Sequence, residues 1–272
     1  MGYQWTIYEK RGRIACVTMN RPEALNATHR PQNQEMEEIW DDFARDPEVW
    51  VAILTGAGDR AFCVGTDMEY LAAHPESRGK SAASPRGPQE GGLVHRTIWK
   101  PIIAAVKGHC LASGLEIALC CDLVIAGDNA EFGLPEIKTT GSFPIDGGPI
   151  RLPRQLPLKV AMELLLTGES LSAERAYQLG LVNRVVPVSK VMTEAERVAE
   201  KIVDGCPESV KLAKEFVTKS LDMPAEYPYQ YARTAWDLYY DLGGRMRASQ
   251  DYRSGEGLRA LAEKRKPRWT GR

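Results

Sequence analysis

The sequence predicts a layered α/β fold with a helical carboxy-terminal region. Three observations carry the prediction. Strand-like and helical stretches alternate through the first half, beyond Leu156 apolar residues recur mainly at helical spacing, and 272 residues without a long linker or internal repeat fit one large unit.

Alternation in Gln4 to Tyr8 and in Ile14 to Met19 predicts two antiparallel strands joined across Lys10-Arg11-Gly12-Arg13. Met36, Ile39, Trp40 and Phe43 fall on one face of a helix over Gln32 to Phe43, followed by a strand over Val49 to Leu54. Ile102 to Val106 and Leu123 to Ile125 read as further strands. Between Ala72 and Gly92 the chain is rich in Ser, Gly, Pro, Lys and Glu, too polar to pack alone, and reads as a mobile surface loop. The later helices are expected over Lys159 to Leu166, Ala173 to Leu179, Lys190 to Val203 and Glu208 to Leu221, then within Ala225 to Asp241 and Ala248 to Lys264.

Acidic and basic residues nearly balance, giving a formal charge of −1, so no broad field draws in nucleic acid or an anionic membrane. No apolar run reaches the roughly 20 residues that span a bilayer, and the first ten residues lack a signal-peptide pattern. A cytoplasmic location is the expectation. The six cysteines form no paired CxxC framework and read as reduced packing residues. His29, His74, His95 and His109 show no metal-ligand spacing, and the aromatic run from Tyr227 to Tyr240 reads as helix packing or a subunit contact.

Two stretches carry chemistry. In Thr55-Gly-Ala-Gly-Asp-Arg-Ala-Phe-Cys-Val-Gly-Thr-Asp67 a strand runs into a Gly-rich turn whose main-chain N–H groups near Thr66 could face an anion, although such a turn is also an ordinary connection. In Lys100 to Glu116 a buried strand ends at Gly108, and Ala112-Ser113-Gly114 opens a helix whose first N–H groups lack internal partners. Small side chains there let a thioester oxygen reach the backbone. Together the two loops could hold the enolate-like oxygen formed when a thioester is attacked at its β-carbon or deprotonated at its α-carbon. Acid and base must come from side chains, and Glu116 and Glu136 stand in apolar surroundings. A helix from Ser113 to about Cys121, a return strand over Asp122 to Ala126 and a turn to Ala130 bring the second glutamate back toward the first. Two carboxyls sharing one water can then divide proton removal and delivery. Either glutamate alone would read more readily as a partnered structural carboxylate.

These residues resemble the crotonase superfamily, most closely enoyl-CoA hydratase. The resemblance runs through Asn20 to Asn26, Ala61 to Asp67, Lys100 to Gly108, Ala112 to Glu116, Cys121-Asp122, Phe132 to Glu136, Leu166 to Glu169, Ala176 to Val182 and Glu256 to Arg265. It implies repeated ββα units in residues 1–200, with residues 201–272 as a helical region serving trimerisation and the pocket wall. It also implies a homotrimer or dimer of trimers, with no cofactor beyond the coenzyme A of the acyl-CoA substrate. By resemblance the oxyanion donors are the N–H groups of Thr66 and Ser113, and the catalytic acids are Glu116 and Glu136. Coenzyme A and substrate contacts fall on Ala24, Leu25, Ala61, Val64, Asp67, Met68, Gly114 and Lys264. The implied reaction is hydration of a trans-2-enoyl-CoA to a 3-hydroxyacyl-CoA. The alternatives are another crotonase reaction (isomerisation, acyl-CoA hydrolysis or C–C cleavage), or a non-catalytic acyl-CoA or RNA-binding relative. Two departures from the family pattern stand out. Ala112-Ser113-Gly114 replaces a glycine triplet, and Lys138 to Gly148 is one residue longer, with Ile145-Asp146 near the family's water-positioning glycine.

Overall fold

The computed structural model describes residues 2–75, 90–224, 226–240 and 255–271. Strands β1 (Thr6–Arg11) and β2 (Ile14–Met19) form the expected antiparallel hairpin. Next come α1 (Arg30–Arg45), β3 (Val51–Gly56), β4 (Ala61–Cys63) and α2 (Met68–Ala73). Two similar passages follow: β5 (Ile102–Val106), β6 (His109–Leu111) and α3 (Ser113–Ala118), then β7 (Leu123–Gly127), β8 (Glu131–Gly133) and α4 (Glu136–Thr139). Three successive strand–strand–helix units are therefore laid down in order. The rest of the described chain is mainly helical, with α5 (Gly148–Gln155), α6 (Leu158–Thr167), α7 (Ala173–Gln178), α8 (Val191–Val203), α9 (Pro207–Ser220), α10 (Pro228–Tyr240) and α11 (Glu256–Ala262). Two short strands, β9 (Ser170–Ser172) and β10 (Arg184–Val186), interrupt it.

The first strand of each unit enters a six-stranded sheet of order β1-β2-β3-β5-β7-β10, parallel from β2 onward. The second enters a four-stranded sheet of order β4-β6-β8-β9, in which β4, β6 and β8 are parallel. Both faces of the large sheet are covered, which is why its central strands are almost continuously apolar. Ala52, Leu54, Ala104, Val106, Val124 and Ala126 face the main core with Met36, Ile39, Trp40 and Phe43 of α1. Val51, Ile53, Ile103, Ala105 and Ile125 pack instead on Val191, Ala195, Val198 and Ala199 of α8.

The structure corrects several boundaries. The small sheet was not expected: its strands are three residues each, too short to show a period of two, and strand pairing rather than local pattern holds them. The helix beginning at Ser113 stops at Ala118 rather than near Cys121, because the chain turns at Cys120-Cys121 to start β7. Most of the loop expected between Ala72 and Gly92 lies outside the described residues, as does the start of the helix expected from Ala248. All six cysteines are free, and Cys16, Cys63, Cys110 and Cys121 are buried.

Candidate active site

Because β4, β6 and β8 are parallel neighbours about 4.8 Å apart, their carboxyl ends open onto one edge of the small sheet. Each delivers one group there. Thr66 follows β4, Ser113 follows β6 and opens α3, and Glu136 follows β8 and opens α4, while Glu116 stands one helical turn beyond Ser113. All four line one cavity of about 690 Å³, the size of a site for a sizeable organic ligand.

The loop after β4 is fixed by a single parallel bridge: Thr28 donates its N–H to the carbonyl of Gly65 (2.8 Å), and Asp67 donates its own to the carbonyl of Thr28 (2.7 Å). This pairing uses the groups flanking Thr66, so the N–H of Thr66 is turned to the opposite side. Asp67 caps α2 by accepting from the N–H of Tyr70 (2.8 Å) and pairs with Arg21 at 2.7 Å. Gly65, at φ +93°, meets the second loop: a Cβ there would lie 2.7 Å from the Cβ of Ala112 and 3.1 Å from the nitrogen of Ser113. The two peptide segments therefore touch. Ala112 turns the chain into α3 at φ 52°, ψ −132°, a conformation that suits glycine.

Glu116 is 1 % exposed and accepts the N–H of Gly148 at 2.7 Å. Burial outweighs that bond and, with the charges of Asp146 and Glu136, pushes its carboxyl up to about 8. Glu136 is half-buried, its Oε2 has no hydrogen-bond partner among the described residues, and burial raises its pKa too. The pair is built to hold a proton at neutral pH. Besides Asp67, which is paired with Arg21, two further carboxyls line the same cavity. Asp146 is pushed up to about 7 by burial, then by Glu90 and Glu136, with the Ser113 hydroxyl opposing. Glu90, also buried, accepts from the Thr28 hydroxyl, from Asn33 Nδ2 (3.3 Å) and from the Thr66 hydroxyl (3.3 Å). His29, which caps α1 by accepting from the N–H of Gln32 (3.3 Å), is held towards its neutral form by burial and by Arg21.

Of the residues singled out from the sequence, Val64, Thr66, Asp67, Met68, Ser113, Glu116 and Glu136 line the cavity. Ala61 and Gly114 are buried and outside the lining, Gly114 against the backbone of Cys63. Ala24 and Leu25 lie at a short 3-10 turn outside the lining, and Lys264 is exposed just past α11. Sequence reasoning gives no role to Glu90, His29, Asn33 or Tyr70. Glu90 in particular sits at the end of a polar stretch where nothing marks one glutamate from another.

The family model for enoyl-CoA hydratase/isomerase matches residues 9–272. The chain is 41 % identical over 263 residues to (E)-benzylidenesuccinyl-CoA hydratase of Thauera aromatica, covering 97 % of this chain and 98 % of the relative. It is 37 % identical over 267 residues to carnitinyl-CoA dehydratase of Escherichia coli strain K12, covering 97 % of each. Among solved structures it resembles an enoyl-CoA hydratase of Mycobacterium marinum (TM-score 0.87, 37 % identity, 98 % of this chain and 99 % of that one). It also resembles a carnitinyl-CoA hydratase of Mycobacterium avium (TM-score 0.71, 38 % identity, 99 % of each). The ββα units, the small parallel sheet and a match over nearly the whole chain lead to one conclusion: the chain is an enzyme of the enoyl-CoA hydratase/isomerase family and has the crotonase fold.

Proposed function

We propose that the enzyme adds water across the double bond of a 2-enoyl-CoA, giving a 3-hydroxyacyl-CoA, or runs the reverse dehydration. One observation carries this reading: Glu116 and Glu136 line the same cavity as the backbone at Thr66 and Ser113. The N–H groups of Thr66 and Ser113 hold the thioester oxygen as it gains charge. Water oxygen bonds to the β-carbon, one carboxylate takes a proton from that water, and the other carboxyl delivers a proton to the α-carbon. The gain is one water and no other atom. With its carboxyl pushed up to about 8, Glu116 keeps a proton on the pair at neutral pH, as this division of labour needs.

Coenzyme A is expected along Ala24-Leu25 and the turn from Ala61 to Met68, with Lys264 near its phosphates. Self-association into trimers agrees with the exposed apolar side chains of α5, α6 and α11, among them Ile150, Leu158, Leu166, Leu258 and Leu261. Among the described residues no helix is long and apolar enough to cross a membrane.

The test is loss of conjugated enoyl-thioester absorbance with crotonyl-CoA and with longer and aromatic 2-enoyl-CoAs, the product being identified by mass. A gain of one water is expected. Glu136→Gln should slow turnover by about 10²- to 10⁴-fold, the usual worth of a general acid or base. Unchanged turnover in that variant would refute the assignment.

A further inference from the structure

Two buried thiols lie under the loops that carry Thr66 and Ser113. Cys63 closes β4, and Cys110 is the middle residue of β6, opposite Cys63 across the parallel pair at an irregularity in its register. Both are fully buried, and neither lines the cavity. Burial pushes the Cys63 thiol up to about 12 and the Cys110 thiol well above its ordinary range, so each stays S–H and neither is a nucleophile. Hydration makes no direct use of them.

Their contacts are specific. The sulfur of Cys63 accepts the N–H of Gly65, the residue before Thr66, at 3.3 Å. It also feels the N–H of Thr28, whose bridge to the Gly65 carbonyl holds the same turn. Cys110 donates its S–H to the carbonyl of Gly114, the residue after Ser113, at 3.5 Å. Gly114 in turn is seated on Cys63, where an added Cβ would lie 2.1 Å from the Cys63 carbonyl oxygen and 3.0 Å from the Cys63 Cβ. Each donor residue therefore has a chain neighbour tied to a thiol. Sulfur suits the task by size. A hydroxyl bonds at about 2.7 to 3.0 Å, so serine at either position would stretch its bond or draw the loop inward by roughly half an ångström. Oxyanion donors work within about 2.7 to 3.1 Å of the developing charge, so a shift of that size is felt in the rate. Cys121 gives the contrast: it too is buried, but its thiol donates to the carbonyl of Ile117 at 3.6 Å, toward the far end of α3 from Ser113.

We propose that Cys63 and Cys110 are positioning residues whose thiols set the separation of the two loops that carry the N–H groups of Thr66 and Ser113. This rests on the reading of those N–H groups as the oxyanion donors. The test uses 4-(dimethylamino)cinnamoyl-CoA, an enoyl thioester whose absorption moves to longer wavelength when its carbonyl oxygen is held by hydrogen bonds, alongside kcat and KM for crotonyl-CoA. The unmodified enzyme should shift the bound chromophore. Cys63→Ala and Cys110→Ala should each lose most of that shift and lower kcat by about 10-fold, with KM changed by less than about 3-fold; losing a donor outright would cost about 10²- to 10³-fold. Cys63→Ser and Cys110→Ser should act in the same direction in smaller measure, and they carry the test where an alanine variant does not fold. Cys121→Ala should lower the melting temperature and leave the chromophore and kcat as they were. A full shift in the folded Cys63 and Cys110 variants would overturn the positioning role. An equal loss of shift in Cys121→Ala would also overturn it, reducing the effect to general packing. The chromophore reads polarisation without turnover, so a failure of hydration alone leaves it readable. Binding to the unmodified enzyme without any shift would overturn the oxyanion reading and this proposal with it.

Discussion

Replacing Glu116 by Gln should make the protein more stable in alkali as it disables the site. Glu116 is 1 % exposed, and burial lifts its carboxyl from an ordinary 4.5 to about 8. The folded state thus holds this proton more tightly than the unfolded state does. Between these two values the wild-type chain loses stability as pH rises, and the loss is complete above about 8. At 1.36 kcal/mol per pH unit the difference amounts to about 5 kcal/mol. Glutamine carries no charge at any pH, and its carbonyl oxygen can still accept the N–H of Gly148 that Glu116 Oε1 now accepts at 2.7 Å. Urea unfolding should therefore find Glu116→Gln within about 1 kcal/mol of wild type near pH 4.5 and about 3 to 5 kcal/mol more stable at pH 9. Asp146 and Glu136 remain in both proteins and largely cancel in the comparison. Hydration by the variant should fall by about 10²- to 10⁴-fold at every pH. A stability difference that does not change between the two pH values would refute the claim that burial of the Glu116 charge is what the fold tolerates for catalysis.

Three further outcomes follow from the same geometry. Plotted against pH, kcat/KM for hydration should decline above about 8, as the Glu116–Glu136 pair loses its proton; a profile flat to pH 10 would count against the pair as the proton source. Ala112→Gly should raise stability by about 1 kcal/mol in thermal or urea unfolding, because glycine relieves the φ 52° conformation by more than it adds freedom to the unfolded chain. Gly114→Ala should cost more than about 2 kcal/mol and abolish turnover, since the added Cβ would lie 2.1 Å from the carbonyl oxygen of Cys63; a wild-type melting temperature would show that the contact relaxes freely.

How far the sequence discloses this molecule depends on the length of each element. α1 and α8 carry several apolar residues at helical spacing, and β3 and β5 are buried apolar runs, so local pattern suffices to find them. β4, β6, β8 and β9 have three residues apiece and exist because they pair with one another, which no local window contains. The site divides in the same way. Glu116 and Glu136 show in the sequence as acids within apolar stretches, and Gly65 and Gly114 mark where backbone must come close. Glu90 becomes visible only when Thr28, Asn33 and Thr66 close around it, across 24 to 62 residues of sequence. Asp146 shows as a lone acid beside two glycines, but its contact with the Ser113 hydroxyl, and an Oδ1 with no hydrogen-bond partner among the described residues, can be seen only in three dimensions.

The small sheet is what turns separate motifs into one site. Thr66, Ser113 and Glu136 are far apart in sequence, yet each lies two or three residues past the end of a parallel strand in the same sheet. Strand spacing alone sets the distance between neighbours, so the positions of the N–H groups and the acid follow from backbone hydrogen bonding rather than from flexible side chains. The close approach of Gly65 to Ala112 and Ser113 then fixes how the first two loops face each other. A side chain at position 65 would push the loops apart, and the strained turn at Ala112 shows that the chain accepts an unfavourable backbone to keep the N–H of Ser113 at the start of α3. Glu90 and the stretch from Lys138 to Gly148 lie outside the small sheet and are tied to the site through side chains instead, because Glu90 accepts from the Thr28 and Thr66 hydroxyls and Glu116 accepts the N–H of Gly148.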